Sequence, residues 1–197
     1  MKNYVTTLGI ALTLALPHAA QAQGVTPPPV PTNIEVPPPN EAFLLGRGVG
    51  TQNYECQPVR SLGRVDWVLF TPQATLFGDR GEQLITHFFS PNPVENGIVR
   101  VAWQDSRDTS TVWGRVIESS VDANFVKAGA IPWLKIDVGT TGFQVGPTGG
   151  DTLTRTTFIQ RLNTDGGAAP STGCDRPTDI GKKEFVPYAA DYFFYKK

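Results

Sequence analysis

From residue 41 onward, short apolar and aromatic runs alternate with polar positions and are broken by clusters of Gly, Pro, Asn and Asp. A period of two is the mark of half-buried strands, whose side chains point to opposite faces in turn. The pattern predicts strands at 41–45, 52–56, 66–70, 83–89, 97–103, 111–118, 134–138, 152–161 and 190–195. These runs are rich in Val, Ile, Thr, Phe, Trp and Tyr, which suit a pleated surface. Asp79-Arg80-Gly81, Gly149-Gly150 and Asp165-Gly166-Gly167 read as turns. One short helix is expected around 120–128, ended by Gly129 and Pro132. About nine strands with at most one short helix, and no internal repeat, predict a single all-β domain, a β-sandwich or a barrel.

The first 40 residues do not share this pattern. Lys2, an apolar stretch from Val5 to Leu16, a break at Pro17 and the A-x-A triplet Ala20-Gln21-Ala22 read as a signal peptide over residues 1–22. The expected location is therefore the periplasm or the extracellular space. Residues 23–40 form a Pro-rich arm with seven prolines, and its missing backbone donors favour an extended tether or a disordered arm. The folded domain is expected over 41–197.

Composition narrows the function classes. Cleavage after Ala22 of the 197-residue chain leaves 175 residues, enough for one ordinary domain. The whole chain carries 17 basic and 18 acidic residues with no long basic run, which argues against nucleic acid as a partner. No segment of the mature chain has the length or apolarity of a membrane span. Cys56 and Cys174 are the only cysteines, and in an oxidising compartment they pair most simply with each other. Such a long loop gains about 4–5 kcal/mol at most from closure.

Candidate chemistry is sparse. His87 is the only histidine left after cleavage, so a His-rich metal site is excluded and no cofactor is expected. Gly46-Arg47-Gly48-Val49-Gly50 has the look of a nucleotide loop, yet the residues after Gly50 suit a strand rather than a helix, and a turn or β-bulge is the better reading. The segment from Trp103 to Trp113 is the most polar stretch between two aromatics. As a binding site it offers Trp faces for a sugar or phenol and hydrogen bonds from Asp105, Arg107 and Asp108, with His87 as a further candidate. As plain structure it is a solvated hairpin loop. Gln160, Arg161, Asn163 and Thr164 could form a polar pocket at one edge of the sheet, though anchoring the following turn is the preferred reading, and Asp191, if it points inward, needs a partner such as Arg161 or Arg155.

Several stretches resemble the DUF3455 domain family of secreted bacterial and fungal proteins. They are Gly48-Val49-Gly50-Thr51-Gln52-Asn53-Tyr54-Glu55-Cys56, Trp67 with Pro72, Ala74 and Leu76, Gly81 and His87, and Ile131-Pro132-Trp133-Leu134. The run from Phe158 to Gly167, Pro170, Cys174 and the closing run from Val186 to Tyr195 complete the likeness. After His87 the chain departs, with Ser90-Pro91-Asn92-Pro93 where Gly-Pro-Trp is expected. The resemblance implies secretion and an independent domain, and it implies no particular activity.

The expectation is thus an exported, non-catalytic protein that binds a small molecule or glycan. Its candidate site residues are His87, Trp103, Asp105, Arg107, Asp108 and Trp113. A hydrolase using His87 or the Asp105/Asp108 carboxylate pair is the first alternative, and a structural envelope protein without a pocket is the second.

Overall fold

The alternating pattern resolves into nine strands. The computed structural model describes residues 24–197, so the expected signal peptide lies outside the described residues. The strands are β1 (Glu41–Val59), β2 (Arg64–Phe77), β3 (Gln83–Asn92), β4 (Ile98–Asp105), β5 (Thr111–Ser120), β6 (Trp133–Asp137), β7 (Phe143–Gln144), β8 (Phe158–Gly166) and β9 (Lys183–Lys196). Their spatial order is β4-β3-β2-β1-β9-β8-β6-β5-β7, and a further β4–β5 pairing closes the first eight into an antiparallel barrel. The short β7 lies beside the start of β5. Closure pairs strand edges that an open sheet would leave free. Helical structure among the described residues is limited to 3-10 turns at Thr32–Ile34, Pro93–Glu95 and Pro177–Asp179.

The glycine run is a strand and not a turn. The expected strands 41–45 and 52–56 are one element, β1, and Gly46, Gly48 and Gly50 lie within it at a spacing of two. All three face the barrel interior. A Cβ on Gly48 would stand 2.8 Å from Cε2 of Tyr192, and one on Gly46 would stand 2.9 Å from Cβ of Leu76. On Gly50 it would reach 2.0 Å from the backbone oxygen of Gln73. The missing side chains make room for large residues of β2 and β9.

Alternation along β9 then fills two cores. Tyr188, Ala190, Tyr192 and Phe194 enter the barrel with Leu76, Ile85, Trp103, Val112, Ile136 and Ile159. Phe193 and Tyr195 point outward and join Trp133, Leu162, Val126 and Ile34 in a second cluster. A small eight-stranded barrel is filled in this way by side chains from every strand.

Ile34 belongs to the Pro-rich arm, which is docked on the barrel wall rather than standing away as a tether. Val25, Val30 and Val36 of the arm pack on the same outer cluster, and Ile34 is fully buried. Prolines supply no donors, so the arm's carbonyls take theirs from barrel side chains. Gln160 Nε2 donates to the Ile34 carbonyl at 2.7 Å, and Lys135 Nζ donates to those of Asn33 and Glu35 at 3.0 and 3.2 Å.

Two further expectations change. The helix at 120–128 is absent. The chain there makes one turn, with Phe125 and Val126 amides donating to the Asp122 carbonyl at 2.9 and 2.8 Å. Phe125 and Val126 are drawn into the outer cluster instead of extending that turn. The strand expected from 152 starts only at Phe158. Residues before it turn locally, with Thr156 N bonded to the Leu153 carbonyl, while Leu153 inserts into the interior core.

Cys56, near the end of β1, is bonded to Cys174 with a Cα–Cα distance of 5.4 Å. The bridge ties the 167–182 segment across that end of the barrel. Backbone bonds from Cys56 N to Lys182 O and from Gly181 N to Cys56 O hold it in line.

Candidate functional site

The six residues expected to form a site occupy three places. His87 and Trp103 are directly opposed on β3 and β4, inside the barrel. Their rings stack at 4.6 Å between centroids, and Tyr192 tilts against His87 at 5.2 Å. His87 is 2% exposed, and its Nδ1 lies 2.9 Å from the carbonyl of Ala102. Burial drives its pKa down to about 3, so the ring stays neutral throughout the ordinary pH range.

Trp113 lies on the opposite side of the wall. It pairs with Ala102, one position along from Trp103, so the two tryptophans point to opposite faces. Its Nε1 donates to Ser90 Oγ at 2.8 Å, and the ring is buried. Neither indole is available for stacking on a sugar at the surface.

Asp105 and Asp108 sit in the β4–β5 turn and are occupied by backbone donors. Asp105 accepts from the amides of Arg107 and Asp108 at 2.8 and 2.9 Å. Asp108 accepts from Ser110 N, Ser110 Oγ and, across to another loop, Thr152 N. Burial alone would raise the Asp108 pKa; those donors outweigh it and hold the carboxyl well below its usual range. Arg107 is exposed on the same turn. The two carboxylates thus fasten the turn and the neighbouring loop.

The barrel interior gathers a different set of polar groups. Arg161 of β8 stands opposite Tyr192 of β9, whose ring is in the interior core, so the guanidinium projects to the same side. Its Nε and Nη2 both donate to the Pro132 carbonyl, at 3.3 and 2.8 Å. Among the described residues it forms no ion pair. Its charge acts on Tyr54, His87, Tyr188 and Tyr192. Burial raises the pKa of all three tyrosines, more than Arg161 lowers it, so they remain neutral hydrogen-bonding groups. The Tyr188 and Tyr192 hydroxyls lie 3.0 Å apart, and Tyr54 Oη donates to the Gly167 carbonyl at 2.7 Å. Gln52 is 2% exposed, and among the described residues its Nε2 and the buried Nε1 of Trp103 have no well-aligned hydrogen-bond partner.

The wall beside this cluster is open. β4 and β5 pair only between Val101–Gln104 and Thr111–Gly114. Among the described residues, the first residues of β4 before Val101 have only β3 as a strand partner, and beyond Gly114 β5 has only β6, with Asn33 of the arm donating to the Ser119 carbonyl at 2.8 Å near its far end. Val99 and Val116 lie two residues beyond the interior positions Val101 and Gly114, and face inward by alternation. They are nevertheless 58% and 46% exposed. Leu134 and Arg161 are opposed on the next two strands, β6 and β8. The barrel therefore has an apolar mouth between β4 and β5, with a cation and buried polar groups around its wall.

Arg161, Gln52 and the tyrosines were not among the expected site residues. Their signal was in the alternation: Ile159-x-Arg161, Gln52-x-Tyr54 and Tyr188-x-Ala190-x-Tyr192-x-Phe194 each set polar or aromatic residues on one face with apolar or small ones. Asp191 lies on the other face, bonded to Arg47 at 3.4 Å and to Asn163 at 2.8 Å, and needs no interior partner.

Fold and interior together define a disulfide-stapled, closed antiparallel β-barrel with a polar and aromatic cluster in an otherwise apolar core. The family comparison agrees with the sequence resemblance. The chain belongs to the family described as "Protein of unknown function (DUF3455)", whose model matches residues 37–196. No curated protein and no solved structure matches it.

Proposed function

We propose that this protein is an exported, non-catalytic binder of small molecules, taking its ligand through the mouth between β4 and β5. The observation that carries this reading is the exposure of Val99 and Val116, two apolar side chains that face the barrel interior. An inward apolar position in a sealed barrel is covered by its neighbours, and an uncovered one favours an apolar ligand. Burial of both Trp103 and Trp113 weighs against a glycan. The sealed, neutral His87 and the backbone-occupied Asp105 and Asp108 weigh against a hydrolase built on them. Export is supported by the composition of residues 1–22 and by the Cys56–Cys174 bridge, and no described helix is long and apolar enough to cross a membrane.

The test uses N-phenyl-1-naphthylamine, a neutral apolar fluorophore. Its emission should rise on titration with the native protein. Val116→Asp should weaken that binding about tenfold or more, while circular dichroism stays native. Absence of binding to the native protein, or binding that Val116→Asp leaves unchanged, overturns the reading.

A further inference from the structure

We infer that the mouth selects apolar molecules bearing a carboxylate, with Arg161 as the anchor for the anion and Gln52 as a second donor. The inference rests on the proposed small-molecule binding and names its ligand class.

An arginine turned toward the inside of a barrel is costly to desolvate unless something compensates its charge. Arg161 has a backbone carbonyl, from Pro132, and no carboxylate among the described residues. The groups around it are tyrosines and a histidine that all stay neutral, so none of them balances the guanidinium. Its bonds to Pro132 use Nε and one N–H of Nη2, and the Tyr192 hydroxyl beside it is neutral, so the remaining donors have no anionic acceptor among the described residues.

Gln52 is the independent sign of a missing acceptor. Its Nε2 is buried and makes no well-aligned hydrogen bond among the described residues, with the neutral Tyr188 hydroxyl as its neighbour. Gln52 borders the same polar cluster: a Cβ on Gly167 would touch Cγ of Gln52 at 3.2 Å and Cβ of Tyr188 at 2.8 Å. Gly167 also supplies the carbonyl that Tyr54 binds. A carboxylate accepts up to four hydrogen bonds and pairs with a guanidinium in its plane. An alcohol of the same length supplies neither the charge nor the second oxygen. The hydrocarbon part of the ligand would lie against Val99, Val116 and Leu134, which carry no charge.

The experiment is displacement of N-phenyl-1-naphthylamine by octanoate and by 1-octanol, at neutral pH, from the native protein and from the Arg161→Gln, Arg161→Lys and Gln52→Leu variants. The native protein should prefer octanoate over octanol by about tenfold or more. Arg161→Gln should abolish that preference by weakening octanoate alone. Arg161→Lys, which keeps a point charge, should retain part of it, and Gln52→Leu should reduce octanoate binding severalfold with octanol unchanged. Should Arg161→Gln fail to fold, the lysine and Gln52 variants decide the question. If octanol binds as well as octanoate to the native protein, the carboxylate assignment falls while small-molecule binding stands. If the fluorophore itself fails to bind, both fall together.

Discussion

His87 shows how one side chain takes its role from its surroundings. In water an imidazole titrates near neutrality, and in a sequence that makes it a natural acid–base candidate. Here Trp103 covers one face of the ring, Tyr192 leans on it, and burial lowers its pKa to about 3. The native state thus keeps His87 neutral, whereas the unfolded chain takes up a proton below about pH 6.5. Stability is complete above that value and falls as the pH drops, by about 1.4 kcal/mol per unit, until the native ring itself protonates near pH 3. Carboxylates with lowered pKa values begin to subtract further down as their unfolded forms protonate, Glu82 and Glu95 first and then Asp66 and Asp179. Between about pH 6.5 and 5.5 the slope therefore belongs to His87; below that, Glu82 and Glu95 add to it. Urea unfolding of the native protein and of His87→Gln across this window checks it: the variant should lose most of the slope, and parallel curves would show that His87 is not held neutral. Arg161 illustrates the reverse case. The sequence offers it as a turn anchor, and only its register opposite Tyr192 turns it inward.

At the scale of elements, the arm and β1 depart furthest from local expectation. Seven prolines between Gly24 and Asn40 say only that the arm makes no ladder of its own. They do not say that Gln160 and Lys135 supply donors for its carbonyls, or that Phe193 and Tyr195 leave an apolar outer wall for it to cover. Ile34→Ala should destabilise the domain by about 2–5 kcal/mol, the usual cost of emptying a fully buried site. Guanidinium unfolding monitored by circular dichroism reads this directly. A midpoint that does not move would return the arm to the status of a tether. In β1 the glycines break the apolar alternation and disguise a 19-residue strand as two short ones. Their purpose appears only when Tyr192 and Leu76 are seen to fill the space they leave. The expected helix at 120–128 failed for a related reason: Phe125 and Val126 gain more from the outer cluster than from a lone helical turn, which is marginal without tertiary support.

At the scale of the whole molecule, the barrel is closed by strand pairing and tied at one end by Cys56–Cys174, whose partners are 118 positions apart. Replacing both cysteines with alanine should cost about 2–5 kcal/mol, chiefly by freeing the unfolded chain. Thermal unfolding should show the same drop in the native protein under a reductant and in the double variant; equal midpoints with and without reductant would make the bridge dispensable. The sequence by itself determined the all-β class, most strand positions, the covalent pairing and the family, because residue type, period two and cysteine number are local or countable properties. It did not determine whether the sheets would form a sandwich or a barrel, since the same alternation serves both and only the β4–β5 pairing closes the ring. Nor did it place the site. Trp103 and Trp113 bracket one polar loop in the chain, yet they face opposite sides of the wall, while Gln52, Arg161 and Tyr192, far apart in sequence, face one interior. That gathering depends on strand register, in which a shift of one residue reverses every side chain, and register is settled by packing across strands and not by any single segment.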